Sequence, residues 1–472
     1  MIAADVFVIT GALALLCIAR WRVGILVTLL FGFGLDAMRK LVPEEPLYFS
    51  VLVFVLVAAT LLGARRRGVP LTLRPIFARG SVLRVPLILF LILIAIQSVA
   101  GFARTGSPAI ALIGLVAYLA PFPGVILGYA YARRTGDVRK LMRWYVGGVA
   151  VMAAGIYLAR VGYDWKLLDA VGSGLVAYSP TGQPLDLASG FFRAPEVAAW
   201  HTAMATCFLL VLFLSRRKIL AHIWPTAALG LYFLVALVFT GRRKGLVEIG
   251  LFILAYLFFL MRFRKRALRT ALVLGALCVT AIVLVTVTDL GSALGISPYY
   301  ERGASLGMEE ADRYRRFTTR ALGFTIQHNG WLGAGAGTGS QGAQYFGGGP
   351  RLVGQSAEGG LGKVAAELGV PGLLLLPALV IATAVHLWNI ARQAGRRGYR
   401  RAHYAYGLIA FLFANAVMFA VAHQIFGDPL VLYMIGLVLG MAFAIPDMWG
   451  VAPPRSPARP PATETSTEPA PR

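Results

Sequence analysis

A succession of apolar stretches, most of them near twenty residues long and separated by short basic loops, constrains this chain more than any other feature. A helix rising 1.5 Å per residue needs about 20 residues to cross about 30 Å of hydrocarbon. Thirteen stretches approach that length: Ala3–Ile18, Val23–Leu35, Leu47–Gly63, Val82–Phe102, Ala109–Tyr131, Trp144–Val161, Val197–Leu214, Ile219–Thr240, Gly245–Met261, Ala271–Leu290, Leu361–Ile390, Tyr404–Val421 and Pro429–Ile445. The first two are short, so about 12–14 crossings are expected. Strand-like alternation is missing, which favours helices over a β-barrel. Composition agrees: 58% of the 472 residues are hydrophobic and only 14% charged. A soluble domain cannot cover that much apolar surface with so little charge. The predicted fold class is all-α, a polytopic integral membrane helical bundle with a large loop between late spans. No internal repeat or second soluble domain is evident.

The formal charge of +24 would suggest nucleic acid as the partner of a soluble chain. Here the basic residues sit in short runs between apolar segments, which is the positive-inside signal of topology; nucleic acid is not an expected partner and membrane lipids are. The loops holding Arg20, Arg22, Arg65–Arg67, Arg133, Arg134, Arg216–Lys218, Arg262–Arg269 and Arg392–Arg401 fall on one side if the spans alternate. That side is read as cytoplasm. Residues 1–451 form the membrane domain; the tail 452–472, rich in Pro, Thr and Glu, is expected to be disordered and cytoplasmic. The first apolar segment reads as a retained anchor. Cys17, Cys207 and Cys278 lie inside apolar segments and read as small core residues. The other side carries the two long connections, about 162–196 and 291–360, where function is expected.

One basic run breaks the rule. Phe239-Thr240-Gly241-Arg242-Arg243-Lys244-Gly245-Leu246 lies opposite the other clusters, between Arg216–Lys218 and Arg262–Arg269. Either one span is miscounted, or the run is external and its insertion cost is offset by a use. A tight Arg-Arg-Lys turn at the membrane surface suits a pyrophosphate. Lys244 and Glu248, four apart on the next helix, are expected to pair and leave the arginines free.

Other external residues have two readings each. Glu358, just before Leu361–Ile390, and Glu367, about two turns inside it, are either helix-start stabilisers or a catalytic base raised by burial. His328 is a loop hydrogen-bonder or a base. His201 and His423, near span ends, are structural by default. Arg302, Arg313, Arg315, Arg316 and Arg320 form either a solvated helix face or contacts to a substrate phosphate. No His, Cys, Asp or Glu group has metal-ligand spacing and no nucleotide-type phosphate loop occurs, so neither metal nor cofactor is expected.

Three stretches, in order, carry a resemblance: Gly190-Phe191-Phe192-Arg193-Ala194-Pro195-Glu196, Thr240-Gly241-Arg242-Arg243-Lys244-Gly245, and Asn329-Gly330-Trp331-Leu332-Gly333-Ala334-Gly335-Ala336-Gly337 followed by Glu367-Leu368-Gly369-Val370-Pro371-Gly372. Over roughly residues 185–445 the chain resembles the O-antigen ligase and O-antigen polymerase family of bacterial integral membrane proteins. The resemblance implies a multi-pass inner-membrane glycosyltransferase working on the periplasmic face. Its donor would be an undecaprenyl-diphosphate-linked glycan and its acceptor a glycan or lipid, with other polysaccharide-assembly proteins as partners. It implies that Arg242 acts on the lipid diphosphate, with Arg243, Arg193 and Arg316 completing the binding set. Where ligases of the family carry a His nine residues before the Glu of Glu-x-Gly-x-x-Gly, this chain has Glu358. The resemblance thus makes Glu358 the candidate base and leaves polymerase and ligase both open. A transporter or flippase of lipid-linked sugar, or a non-catalytic partner of the assembly machinery, are the readings from other classes.

Overall fold

A computed structural model describes residues 2–46, 48–72, 74–77, 81–171, 177–178, 184–216, 223–263, 323–324, 326–340, 343, 346, 359–396 and 399–449. Over these residues the chain is a bundle of apolar helices. In order they are α1 (Ile2–Ala19), α2 (Trp21–Leu41), α3 (Tyr48–Arg66), α4 (Arg84–Thr105), α5 (Pro108–Leu119), α6 (Pro121–Tyr131), α7 (Thr135–Arg160), α8 (Pro195–Leu214), α9 (Ile223–Phe239), α10 (Arg243–Phe263), α11 (Gly360–Gly395), α12 (Tyr399–Val421) and α13 (Pro429–Phe443). Nine crossings are long and apolar enough to span a membrane, α5 and α6 together forming one of them, and α1, α9 and α13 are shorter apolar helices. The protein is thus a multi-pass membrane protein. Of the thirteen predicted stretches, nine coincide with these crossings and three with the shorter apolar helices. The thirteenth, Ala271–Leu290, and the tail from Ala452 lie outside the described residues.

α7 begins nine residues before the predicted Trp144, at Thr135. Its polar opening turns are invisible to a hydropathy window, yet Asp137 starts the helix by accepting the backbone N–H groups of Arg133 and Arg134 at 3.2 and 3.0 Å. At the centre stands α8, with 16 of its 20 residues buried. A helix apolar on all sides belongs in the middle of a bundle. Helices α6 and α13 approach most closely. Gly124 and Gly128 face Gly436 and Gly440, and a Cβ on Gly128 or Gly440 would lie only 2.2 or 2.1 Å from a carbonyl of the partner helix. Paired small residues four apart allow such contact where no hydrophobic drive between helices exists.

Long-range contacts sort the loops into two ends. At one end Arg22 pairs with Asp137 at 2.9 Å and donates to the Tyr131 carbonyl at 3.0 Å, and Arg67 donates to Ala19. Tyr129 there donates to Asp447. This is the basic end. At the other end Lys40 reaches the 189–190 loop, Arg193 reaches Asp428, and Ala188 N–H donates to Phe239 O at 3.1 Å. The Thr240–Arg242 turn joins α9 and α10 at this second end, so among the described residues the Arg242 run sits opposite Arg22 and Arg67.

Candidate functional site

The connection between α7 and α8 is folded onto the second end by a charged clasp. Lys40, near the end of α2 and 1% exposed, donates to the carbonyls of Leu167 at 2.9 Å and Gly190 at 2.6 Å. Gly190, at φ +57°, fits against the backbone of Ile156, where a Cβ would lie 2.5 Å from its nitrogen. That turn delivers Arg193, whose guanidinium pairs with Asp428 at 2.7 Å and donates to Ser50. Its backbone N–H donates to Asp36 at 3.3 Å. Asp428 is also the N-cap of α13, accepting from Leu430 and Val431 N–H; Pro429 at the first helical position suits that start. Burial alone would loosen the proton of Arg193, but Asp428, Asp36 and Glu196 outweigh it, and the net shift is upward. Arg193 is fully compensated.

Arg242 is not. It follows Gly241, at φ +64°, and its backbone N–H donates to Thr240 Oγ1 at 3.3 Å. The guanidinium, 17% exposed, meets a single carboxylate, Glu196 in the first turn of α8, at 2.5 Å. Its Nε is buried without a hydrogen-bond partner among the described residues. Burial lowers its proton affinity and only Glu196 opposes this, so the net shift is downward, although an arginine remains charged throughout the physiological range. Since Glu196 also acts on Arg193, the two arginines share one neighbourhood. Arg243 opens α10 beside them.

The expected Lys244–Glu248 pair does not form. Glu248 is 2% exposed and turned towards Trp200 of α8, while Lys244, one turn earlier, is exposed. Helical spacing brought the two within a turn, but the packed face took the carboxylate.

The glycine-dense run is a buried wedge. Ala334 and Gly335 N–H donate to the carbonyls of Ala366 and Glu367 at 2.7 and 3.1 Å, and Val370 N–H donates to Trp331 O at 2.9 Å. On the opposite side the Gln97 side-chain amide of α4 donates to Leu332 O, and the Gln97 backbone carbonyl accepts from Ala336 N–H. Gly335 and Gly337 have positive φ and lie so close to Gly101 and Ile110 that a Cβ would meet backbone at 2.3 and 2.1 Å. Glycine is required where backbones approach like this. α11 opens at Gly369 (φ 62°, ψ −156°) to make the pairing possible. Glu367, fully buried, locks the wedge: one oxygen accepts from Tyr118 Oη at 2.7 Å and the other from Gly339 N–H at 3.0 Å.

Of the predicted site residues, Arg193, Arg242 and Arg243 are thus brought together. His328 is exposed, stacked on Phe324 with its Nδ1 at 3.0 Å from the Phe324 carbonyl. Glu358 and Arg316 lie outside the described residues. His201 is buried in the core, with Nδ1 at 2.8 Å from Tyr145 Oη. Sequence reasoning missed Lys40, Asp428 and Tyr118. An ionisable residue in or beside an apolar helix is itself a signal for the first two, and Asp-Pro before an apolar run signals a cap; nothing local marks Tyr118. Among the described residues no group of three or more His, Cys, Asp or Glu is arranged to hold a metal ion. No protein-family model matches this chain, and no curated protein matches it either.

Proposed function

We propose that this chain is a membrane glycosyltransferase of surface-polysaccharide assembly, working on the periplasmic face of a bacterial inner membrane. It takes an undecaprenyl-diphosphate-linked glycan as donor and a glycan or lipid hydroxyl as acceptor. The observation that carries the reading is Arg242: a partly buried cation at the less basic end, with one exposed-side carboxylate partner and an unpartnered Nε. In the reaction the acceptor oxygen bonds to the anomeric carbon while the bond from that carbon to the diphosphate oxygen breaks. The acceptor proton passes to a base, for which the resemblance names Glu358, and the diphosphate leaves with the bonding electron pair. Charge grows on that leaving group, where a fixed cation stabilises the transition state most. Arg242 supplies it, with Arg243 adjacent, and Arg193 holds the loop that leads into the first turn of α8, where Glu196 stands.

The test is transfer by the purified chain in proteoliposomes supplied with lipid-diphosphate donor and acceptor. Arg242→Ala should lower the rate about 10²–10³-fold, the loss seen when one charge-stabilising donor is removed. Wild-type turnover by a correctly inserted Arg242→Ala protein would overturn the assignment. In a deletion strain, single units on the acceptor indicate a polymerase and accumulated lipid-linked polymer a ligase. One observation favours a second reading, sugar-lipid translocation: α11 is interrupted at Gly369 beside buried Glu367, as transporter helices are at their binding sites. Movement of the lipid-linked sugar across vesicles without bond formation would select it.

A further inference from the structure

The opening turns of α7 carry a charge that the rest of the protein does not answer. Val138, Leu141, Met142 and Tyr145 face the bundle and are buried. The opposite face presents Arg139, Lys140, Arg143 and Trp144, all exposed. Positions three or four apart share one side of a helix, so these four and Gly136 form a single strip. Together they line a groove of about 310 Å³ on the outside of α7. A Cβ on Gly136 would meet nothing within 4 Å, so the strip is open at its start.

None of the three cations makes an ion pair or a hydrogen bond among the described residues. Asp137, the one carboxylate of α7, is committed elsewhere: one oxygen takes Arg22 at 2.9 Å and the other the N–H groups of Arg133 and Arg134. Topology alone asks for positive charge at this end. It does not ask for three cations on one helix face, around a groove and next to an exposed tryptophan.

Depth is the second observation. Trp144 is 50% exposed, and beyond it the same face turns apolar, with Gly147 open and Val151 exposed. Tryptophan favours the boundary between headgroups and hydrocarbon. Arg139 precedes it by about 7.5 Å along the axis, at 1.5 Å per residue. The headgroup layer on each side of a bilayer is roughly 5–8 Å thick. The three cations therefore stand at headgroup depth, and Gly147 and Val151 at the depth of acyl chains.

We propose that this strip binds an anionic glycerophospholipid of the leaflet at the basic end. Its phosphodiester sits among Arg139, Lys140 and Arg143, its glycerol beside Trp144, and one acyl chain over Gly147 and Val151. Guanidinium groups grip phosphate oxygens in pairs, and clustered cations at this depth recognise anionic headgroups. The site lies at the opposite end from Arg242 and stands whether or not Arg242 serves a glycosyl donor.

The experiment titrates the detergent-purified full-length chain with dioleoyl phosphatidylglycerol and counts bound lipid by native mass spectrometry. Zwitterionic dioleoyl phosphatidylcholine is the reference, and glycerol 3-phosphate, which has the phosphate without the chains, is the third arm. Phosphatidylglycerol should bind at least about tenfold more tightly than phosphatidylcholine, and glycerol 3-phosphate should not compete at the same concentration. A cation near an anionic headgroup contributes roughly fivefold in binding, so Arg139→Gln with Arg143→Gln should weaken phosphatidylglycerol about 25-fold. Arg139→Lys with Arg143→Lys should keep it within a few-fold. Arg65→Gln with Arg66→Gln removes two exposed charges of α3 at the same end and should change nothing. Lys140→Gln alone, with a loss of roughly fivefold, repeats the test should the double variant fail to insert. Equal binding of the two lipids, full competition by glycerol 3-phosphate, or an equal loss in the Arg65 and Arg66 variant overturns the proposal.

Discussion

Arg193 and Arg242 are neighbours with opposite balances of charge, and their substitutions should separate accordingly. Arg193→Ala would leave Asp428, 3% exposed, and Asp36, 8% exposed, facing one another without their cation. Breaking a buried pair by removing one partner costs about 3–5 kcal/mol. The unfolding midpoint in detergent should fall accordingly, and an unchanged midpoint would mean that the clasp is not needed for stability. Arg242→Ala should cost less than about 1 kcal/mol in the same assay, because Glu196 is 33% exposed and can rehydrate. If activity falls while stability holds, Arg242 is a functional cation and Arg193 a structural one. Part of this was legible beforehand. The Arg-Arg-Lys run announced itself by violating the charge pattern, and Asp428-Pro429 is a local cap signal. That Asp428 would be the partner of Arg193 was not legible, since no local rule joins two loops so distant in sequence.

At the scale of elements, glycine spacing sets how close helices come. Gly440→Ala would place a methyl 2.1 Å from the Val125 carbonyl, so α6 and α13 must part. Overpacking of a tight contact costs about 1–3 kcal/mol, and the midpoint of unfolding should drop by that amount. Gly147→Ala, at an open position on α7, is the control and should be neutral. The glycine wedge obeys the same logic with a polar lock. Glu367→Gln keeps the size of the side chain but replaces one acceptor by a donor, so either Gly339 N–H loses its acceptor or the Tyr118 hydroxyl turns to accept and its own hydrogen is left without a partner. A buried donor left unsatisfied costs about 1–3 kcal/mol. Amide hydrogen exchange should show this as faster exchange confined to residues 330–340, whereas uniform protection would show that the carboxylate is dispensable to the wedge. The Gly-x-Gly-x-Gly pattern was visible as a loop signal. Its burial between α4, α5 and α11 was not, because glycine reads alike in an exposed turn and in a close backbone contact.

The whole molecule has two chemically different ends, and its topology follows from their contacts. Arg66 lies at the basic end, while Asp164, in the connection after α7, lies at the end that carries Arg242. In a background lacking Cys17, Cys207 and Cys278, Arg66→Cys and Asp164→Cys should be labelled by a membrane-impermeant maleimide from opposite sides. Labelling from the same side would overturn the two-ended arrangement. Buried Cys17 and Cys207 should resist the reagent without that background.

By itself the sequence determined that this is a helical membrane protein and where nearly every described crossing lies, and it marked Arg242–Lys244 as the run that breaks the charge pattern. Each of these depends on hydropathy and charge summed over a local window, and local sums survive without knowledge of packing. Only the tertiary structure decided that several carboxylates act on Arg193 and one on Arg242, that Glu248 leaves Lys244 for Trp200, and that Glu367 is an anchor for the glycine wedge. Those outcomes depend on which distant partner reaches a buried charge first. Desolvation makes the choice energetically decisive, and contacts between remote segments make it unreadable from any single stretch of chain.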